Sequence, residues 1–458
     1  MTVLLARWQF AVTTIYHFLF VPLTIGLVFL IAILETMYYF QKDDRYKQLA
    51  KFWAKLLLIN FSVGVVTGIF QEFQFGMNWS SYSRFVGDVF GAPLAIEALA
   101  AFFLESTFLG IWLFGWERIP RGLHAISIWM VALGTTLSAF WILSANAFMQ
   151  EPVGYTIRNG HAEMSSFGAL LTNPQLWDEF PHTWLAAIAT GSFFMAGISA
   201  WYVYRRYHTE LFQLTLRLGM TFGLVSSTLV AFVGDKMAKH LVKAQPMKMA
   251  AAEALWHTSP LHAPWKLVAG IDRATHSNTF AIKIPYLLSI LSYNRLSGRV
   301  TGMDELQHQF VQKYGPGNYI PPVDLTFWSF RIMVGAGMLM IFLSLLGMWF
   351  ILRNREVERR WFLRILPFAM ILPYLGNTFG WIMTEVGRQP WVVYGLLKTD
   401  VANSPNVSSG MILFTLIGFA IVYVAMAVVA IFLALRTIRQ GVEPHEEVSM
   451  TSDISLGL

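Results

Sequence analysis

Histidines, a methionine and several carboxylates recur inside stretches that are otherwise apolar, and these are side chains able to hold a metal or move a proton. His17 lies in the apolar run 10–40, with Thr13 one turn before it. Glu97 and Glu105 stand eight residues apart in a third apolar segment; on a regular α-helix they would be about 80° apart around the axis and about 12 Å along it. Asn146, His182, Arg331 and Met333 follow in later apolar segments. The densest group is 380–391, GWIMTEVGRQPW, where Trp381, Glu385 and Arg388 fall at i, i+4 and i+7 on one helical stripe. An ionisable side chain at the centre of a bilayer costs about 2.5–3.5 kcal/mol, so each requires a partner or a function. Plain readings compete with chemical ones. Glu385 and Arg388 can pair at a helix end with their heads in water. Buried histidines and asparagines often only bond a neighbouring helix, and Met333 is one of 21 methionines, whose ordinary use is packing. Residue types alone leave a haem redox enzyme, an ion-coupled transporter and a proton channel open.

The elements that must position these groups are membrane helices. The chain has 458 residues, 55% hydrophobic and only 13% charged, a balance that fits a polytopic membrane protein. Nine segments are long enough to cross the hydrocarbon: 9–40, 52–75, 92–116, 123–149, 183–204, 214–236, 326–352, 364–387 and 409–436. The first is too long for a cleavable signal and reads as a spanning helix. No internal repeat is evident, which counts against an inverted-repeat transporter. With no cysteine, disulfides, thiolate-ligated haem, iron–sulfur clusters and covalent haem attachment are excluded. The net charge of +6 fits basic cytoplasmic loops and calls for no nucleic acid.

Lys and Arg alternate between the loops. Lys42, Arg45, Lys47 and Lys51 follow helix one; Arg118 and Arg121 follow helix three; Arg205 and Arg206 follow helix five. Arg353, Arg355, Arg359 and Arg360 follow helix seven, and Arg436 and Arg439 end helix nine. Arg84 and Arg158 stand alone in the intervening loops. The rule that positive loops stay inside places the N-terminus outside and the C-terminus in the cytoplasm. The chain then divides into helices one to six (1–236), an outside loop (237–325), helices seven to nine (326–436) and a polar, disordered cytoplasmic tail (437–458). Within the loop, 246–256 reads as helical, and a segment this long is usually functional. His17, Glu97, Asn146, His182, Met333 and Glu385 all fall in the outer half of their helices, while Glu105 lies nearer mid-membrane.

The motifs RWQFAVTTIYHFLFVPLTIGL in helix one, GWIMTEVGRQPW, FWSFRIMVG (327–335) and QPMKMAAAE (245–253) occur together in one order. In this the chain resembles subunit I of the cytochrome bd quinol oxidases over nearly its whole length. The resemblance implies an all-α polytopic membrane fold of nine helices, as two four-helix bundles plus one peripheral helix. It implies a low-spin haem b, a high-spin haem b and a haem d. His182 and Met333 match the axial pair of the low-spin haem, whose filled positions suit electron transfer. His17 and Glu385 each match a ligand of one active-site haem, and Glu97 the second acidic residue there. Arg331 and Arg388 match residues that contact haem propionates, where a guanidinium suits a carboxylate. Trp381 and Asn146 match residues packed around the active haems. In the loop, which is short compared with long-loop members, Lys248 and Glu253 match the quinol-site pair, with Gln245 beside them.

The same resemblance implies a bacterial cytoplasmic-membrane oxidase that oxidises quinol at the outer face and reduces O₂ to water without pumping. Protons would climb from the cytoplasm past Glu105 and Ser138 to Glu97. The expected partners are a homologous membrane subunit II, quinol, O₂ and the lipid bilayer, with small single-helix accessory subunits left open. A bd-like oxidase holding only b-type haems is the nearest rival, and an ion-coupled transporter using Glu97, Glu105 and Glu385 the distant one.

Overall fold

The computed structural model describes residues 1–442. Among these, nine helices are long and apolar enough to cross a membrane: Thr2–Gln41, Asp44–Met77, Ser80–Phe114, Arg121–Gln150, Pro174–Arg205, Thr209–Ala244, Val323–Leu352, Arg360–Gly387 and Ser409–Gln440. We number them spans one to nine. All nine expected segments are present, and most run further than their apolar stretch. Span six continues to Ala244, eight residues into the segment expected to be loop, because Lys236, Lys239 and Lys243 extend the helix beyond the hydrocarbon. Lys239 is tied to Asp235 one turn back. The expected tail 437–458 begins as the last turn of span nine, and its residues from 443 lie outside the described part.

Spans one to four pack together, spans five to eight form a second bundle, and span nine leans mainly on spans one and two, with Tyr202 of span five donating to its Ile438 carbonyl. The bundles meet where Gly26 of span one crosses Gly191 of span five, and a Cβ on either would run into the other's backbone. Span three is not a uniform α-helix: Glu97–Phe102 forms a π-turn between two α-helical stretches. Span eight breaks at Met370, between Pro367 and Pro373, as expected where proline removes a helix donor.

The main apolar core lies in the half of the bundles that carries the Lys- and Arg-rich loops. It comprises Leu27, Leu30, Trp53, Phe193, Phe212, Met220 and Phe362, among others. His17, Glu97, His182, Met333 and Glu385 lie in the opposite half and are only partly buried. Between spans six and seven the chain folds into a cap: helix Pro246–Ala252, an antiparallel hairpin of Trp265–Asp272 with Ser277–Ile284, and helices Leu287–Tyr293 and Met303–Tyr314. The helix expected over 246–256 ends at Ala252. The cap has its own apolar core of Met247, Trp256, Met303, Phe310 and Tyr319, completed by Phe327 and Trp391 from outside the loop.

Candidate functional site

Three of the four candidate ligands sit where a neighbouring helix has no side chain. His17 faces Gly68 of span two, and a Cβ there would lie 3.3 Å from its Cε1. His182 faces Gly234 of span six, with the corresponding distance 3.1 Å, and Met333 Sδ faces Gly380 of span eight at 3.0 Å. His17 Nδ1 lies 2.9 Å from Thr67 Oγ1. That hydroxyl already donates to the Val63 and Gly64 carbonyls, so it accepts from Nδ1–H and leaves Nε2 as the imidazole's free lone pair. Nδ1 of His182 is buried with no hydrogen-bond partner. Such orphans are rare unless something else takes them up.

Glu385 lies at the junction of the two bundles. Its Oε1 accepts from Asn146 Nδ2 (3.1 Å) and Gln150 Nε2 (3.0 Å), both from span four, and its Oε2 pairs with Arg388. The plain pairing weighed from the sequence therefore exists. Arg388 is nonetheless buried, and its Nε and Nη1 have no partner. Trp381, one turn before Glu385, packs edge-on against Phe18, 5.5 Å between ring centres, which joins span eight to span one beside His17.

Gln150 was not anticipated and is fully buried. Its Nε2 donates toward Glu385, while its Oε1 accepts from Lys248 Nζ (2.7 Å) and Gln245 Nε2 (3.0 Å). Its amide orientation is fixed by a cation at one end and a carboxylate at the other. The one available clue was its position four residues after Asn146, on the same face. Lys248 lays its stem across Gly387, where a Cβ would fall 2.7 Å from Lys248 Cγ. Burial, aided by the nearby Arg388 charge, pulls the Lys248 ammonium down to about 7, against the opposing pull of Glu385 and Glu179.

Glu253 and Arg331, matched above to different partners, also bond each other. Glu253 does not face Lys248. Five positions on, it points the other way, and both its oxygens accept from Arg331 (2.7 and 3.3 Å) while Trp265 Nε1 adds a third bond at 3.2 Å. Arg331 also donates to the carbonyls of Lys266 and Ala252. The Arg331 guanidinium is thus bound to the cap on all sides. Burial still raises the Glu253 carboxyl, with Arg331 opposing. Lys266, also unanticipated, is lowered to about 8 by burial, with Glu253 opposing, and donates to the Glu253 and Ala254 carbonyls.

Where span three meets span four, Ser138 Oγ of span four donates to Glu97 Oε1 of span three at 2.5 Å. One turn from Ser138, Gly134 lies against Glu105, where a Cβ would come within 2.9 Å of the Glu105 Cβ. Glu105 is buried. The π-turn between the two carboxylates winds fewer degrees per residue than an α-helix. The 80° offset expected for a regular helix therefore does not hold, and both glutamates meet span four within one turn of each other.

A family model described as "Cytochrome bd terminal oxidase subunit I" matches residues 5–442. This chain belongs to that family. As a subunit I, it is 53% identical over 451 residues to "Cytochrome bd ubiquinol oxidase subunit 1" of Bacillus subtilis (strain 168), covering 98% of this chain and 96% of the relative. It is 38% identical to "Cytochrome bd-II ubiquinol oxidase subunit 1" of Escherichia coli (strain K12), covering 95% of this chain and 96% of the relative. That alignment spans 495 residues against the 458 here, so the relative carries additional segments. Among solved structures, the bd oxidase from Geobacillus thermodenitrificans superposes with a TM-score of 0.87 at 30% identity, covering 96% of this chain and 98% of that one. The expected fold class and family are therefore correct. The protein is a multi-pass membrane subunit of a respiratory oxidoreductase.

Proposed function

We propose that this subunit I, in a bacterial cytoplasmic membrane with a homologous subunit II, oxidises quinol at the outer face and reduces O₂ to water with cytoplasmic protons. The observation that carries this reading is the seating of His17, His182 and Met333 each against a glycine. A flat macrocycle needs such a side-chain-free wall beside its ligand. The residues fit the group: His182 and Met333 would hold the low-spin haem b, and His17 and Glu385 one each of the high-spin haem b and haem d. Arg388, with two unpartnered donors, would meet a propionate. When bound, the haems supply electron transfer and oxygen-binding chemistry.

The chain's own residues do the rest. Lys248, with Gln245, offers a cation and an amide at the inner wall of the cap, where a quinol oxygen can be polarised. Gln150 holds that lysine in line with Glu385. Glu253 fixes the cap through Arg331, and it acts as a base only when that bond loosens. Glu105, Ser138 and Glu97 form a polar column along spans three and four that can hold protons on their way outward. Charge separation then comes from proton uptake, each charge moved through 100 mV being worth about 2.3 kcal/mol. The short cap fits the short-loop type. The test is the absorption spectrum of the purified, reduced two-subunit enzyme. Both b-type and chlorin bands are expected. A spectrum without haem bands overturns the reading, and b-type bands alone would remove haem d.

A further inference from the structure

At the opposite end of the first bundle, a buried carboxylate and imidazole form a unit with no place in the scheme so far. Glu35 of span one and His124 of span four are almost fully buried. Glu35 Oε2 lies 3.2 Å from His124 Nδ1, and Glu35 Oε1 accepts from Trp112 Nε1 at 3.3 Å. His124 Nε2 lies 2.8 Å from the Trp112 carbonyl oxygen. A carbonyl only accepts, so Nε2 carries a hydrogen permanently. The proton that can come or go is therefore the one at the Nδ1–Oε2 contact, shared between imidazole and carboxylate.

This pair forms the floor of a cavity of about 60 Å³, lined also by Tyr38, Lys47, Trp116, Glu117 and Arg121. That volume has room for a few waters among polar walls. The charged and titratable groups facing the pair are few. Lys47 of span two is paired with Glu117 at 2.8 Å. Lys51 lies over the Trp116 ring at 5.2 Å, and Arg121 over the Tyr38 ring at 5.0 Å. The Trp116 ring stands 4.2 Å from His124, and Lys47 and Lys51 both lie over that ring. The cavity opens among the Lys- and Arg-rich loops. Glu105, Leu109 and Trp112 form the buried stripe of the inner half of span three, so the pair lies about 10 Å of helix below Glu105 on the same face.

We infer that the Glu35–His124 pair is the proton-collecting site of this subunit, taking protons from cytoplasmic water in the cavity and passing them toward Glu105. A hydronium in the cavity gives one proton to the pair and leaves water. The pair returns to its starting state when that proton moves on toward Glu105, and no electron changes place. This rests on the inward proton route proposed above.

The test uses the two-subunit holoenzyme in sealed vesicles, reading quinol-driven O₂ consumption and single-turnover proton uptake with a pH dye. Glu35→Gln keeps an acceptor for Trp112 and a bond to His124 but cannot carry a proton. It should slow proton uptake and turnover together by about tenfold or more, with the reduced haem spectrum unchanged. His124→Gln should do the same. Trp112→Phe removes a bond to Glu35 while keeping both titratable groups, and should leave uptake close to the unsubstituted rate. Uptake at the normal rate in Glu35→Gln and His124→Gln while Glu105→Leu is slow overturns this inference alone. Normal uptake in all three overturns the inward route itself. Equal losses in Glu35→Gln and Trp112→Phe, accompanied by loss of haem, assign the pair a structural role and overturn the inference.

Discussion

Arg331 grips Glu253 with a two-pronged ion pair, 2.7 and 3.3 Å, two residues before Met333 in span seven. The cap is thereby fastened to the helix that carries a candidate haem ligand. Both side chains are buried, so removing one strands the other's charge. Arg331→Ala should destabilise the cap by about 3–5 kcal/mol, read as faster protease cleavage within 246–322. Arg331→Lys, which keeps the charge but loses the fork, should fall between. An unchanged cleavage pattern in Arg331→Ala would deny the pair its fastening role.

Gln150 joins Lys248 to Glu385, so Gln150→Leu should disconnect them. Hydrogen bonds to charged groups contribute about 1.5–3 kcal/mol, which corresponds to a loss of roughly ten- to a hundredfold in quinol oxidation. Oxidation of an artificial donor that feeds the haems directly should persist. Equal loss of both activities would place the effect at the haems instead.

Lys248 sets a pH dependence. Its ammonium is held down to about 7 from an ordinary 10.5, so the charge is present below about 7 and lost above. KM for quinol should rise as pH passes upward through that value, and Lys248→Met should flatten the profile. The stability sign is opposite. Between the two values the unfolded chain holds a proton that the folded chain does not, so stability rises with pH over that interval. Thermal unfolding of Lys248→Met should lack this rise.

Glu105→Leu should slow oxidase turnover while leaving the haem spectrum as it was. Ser138→Ala, which removes only the donor to Glu97, should slow it less. Wild-type turnover in Glu105→Leu would take that carboxylate off the proton path.

Met333→Leu offers no ligand atom and should turn the low-spin haem into a five-coordinate form, visible in the reduced spectrum. An unaltered spectrum would clear Met333 of that role.

The nine spans were legible because each carries an unbroken apolar stretch of bilayer length. Their true ends were not, since residues such as Lys236 and Lys243 continue a helix past the membrane without an apolar signature. The site was legible by residue type: His17, His182, Met333 and Glu385 are ligand-capable groups in apolar surroundings. Their relations were harder to read. Nothing in the spacing announces the π-turn at Glu97, so its angular offset from Glu105 came out wrong. The Arg331–Glu253 pair is invisible to spacing because the two residues are 78 positions apart. Gln150 went unnoticed because a single amide at a helix end looks like any surface glutamine. The hairpin 265–284 lacks clean alternation, and its bulges between Lys266 and Val268 and between Gly270 and Ile271 break the period that would have revealed it.

The cap's apolar core is closed by Phe327 from span seven and by Trp391 from beyond span eight, which stacks on Tyr319. During synthesis the ribosome makes Phe327 directly after the cap's own residues, but Trp391 only after all of spans seven and eight. The cap must therefore wait, incomplete, until spans seven and eight are in place. The cap is thus among the last parts of the molecule to mature.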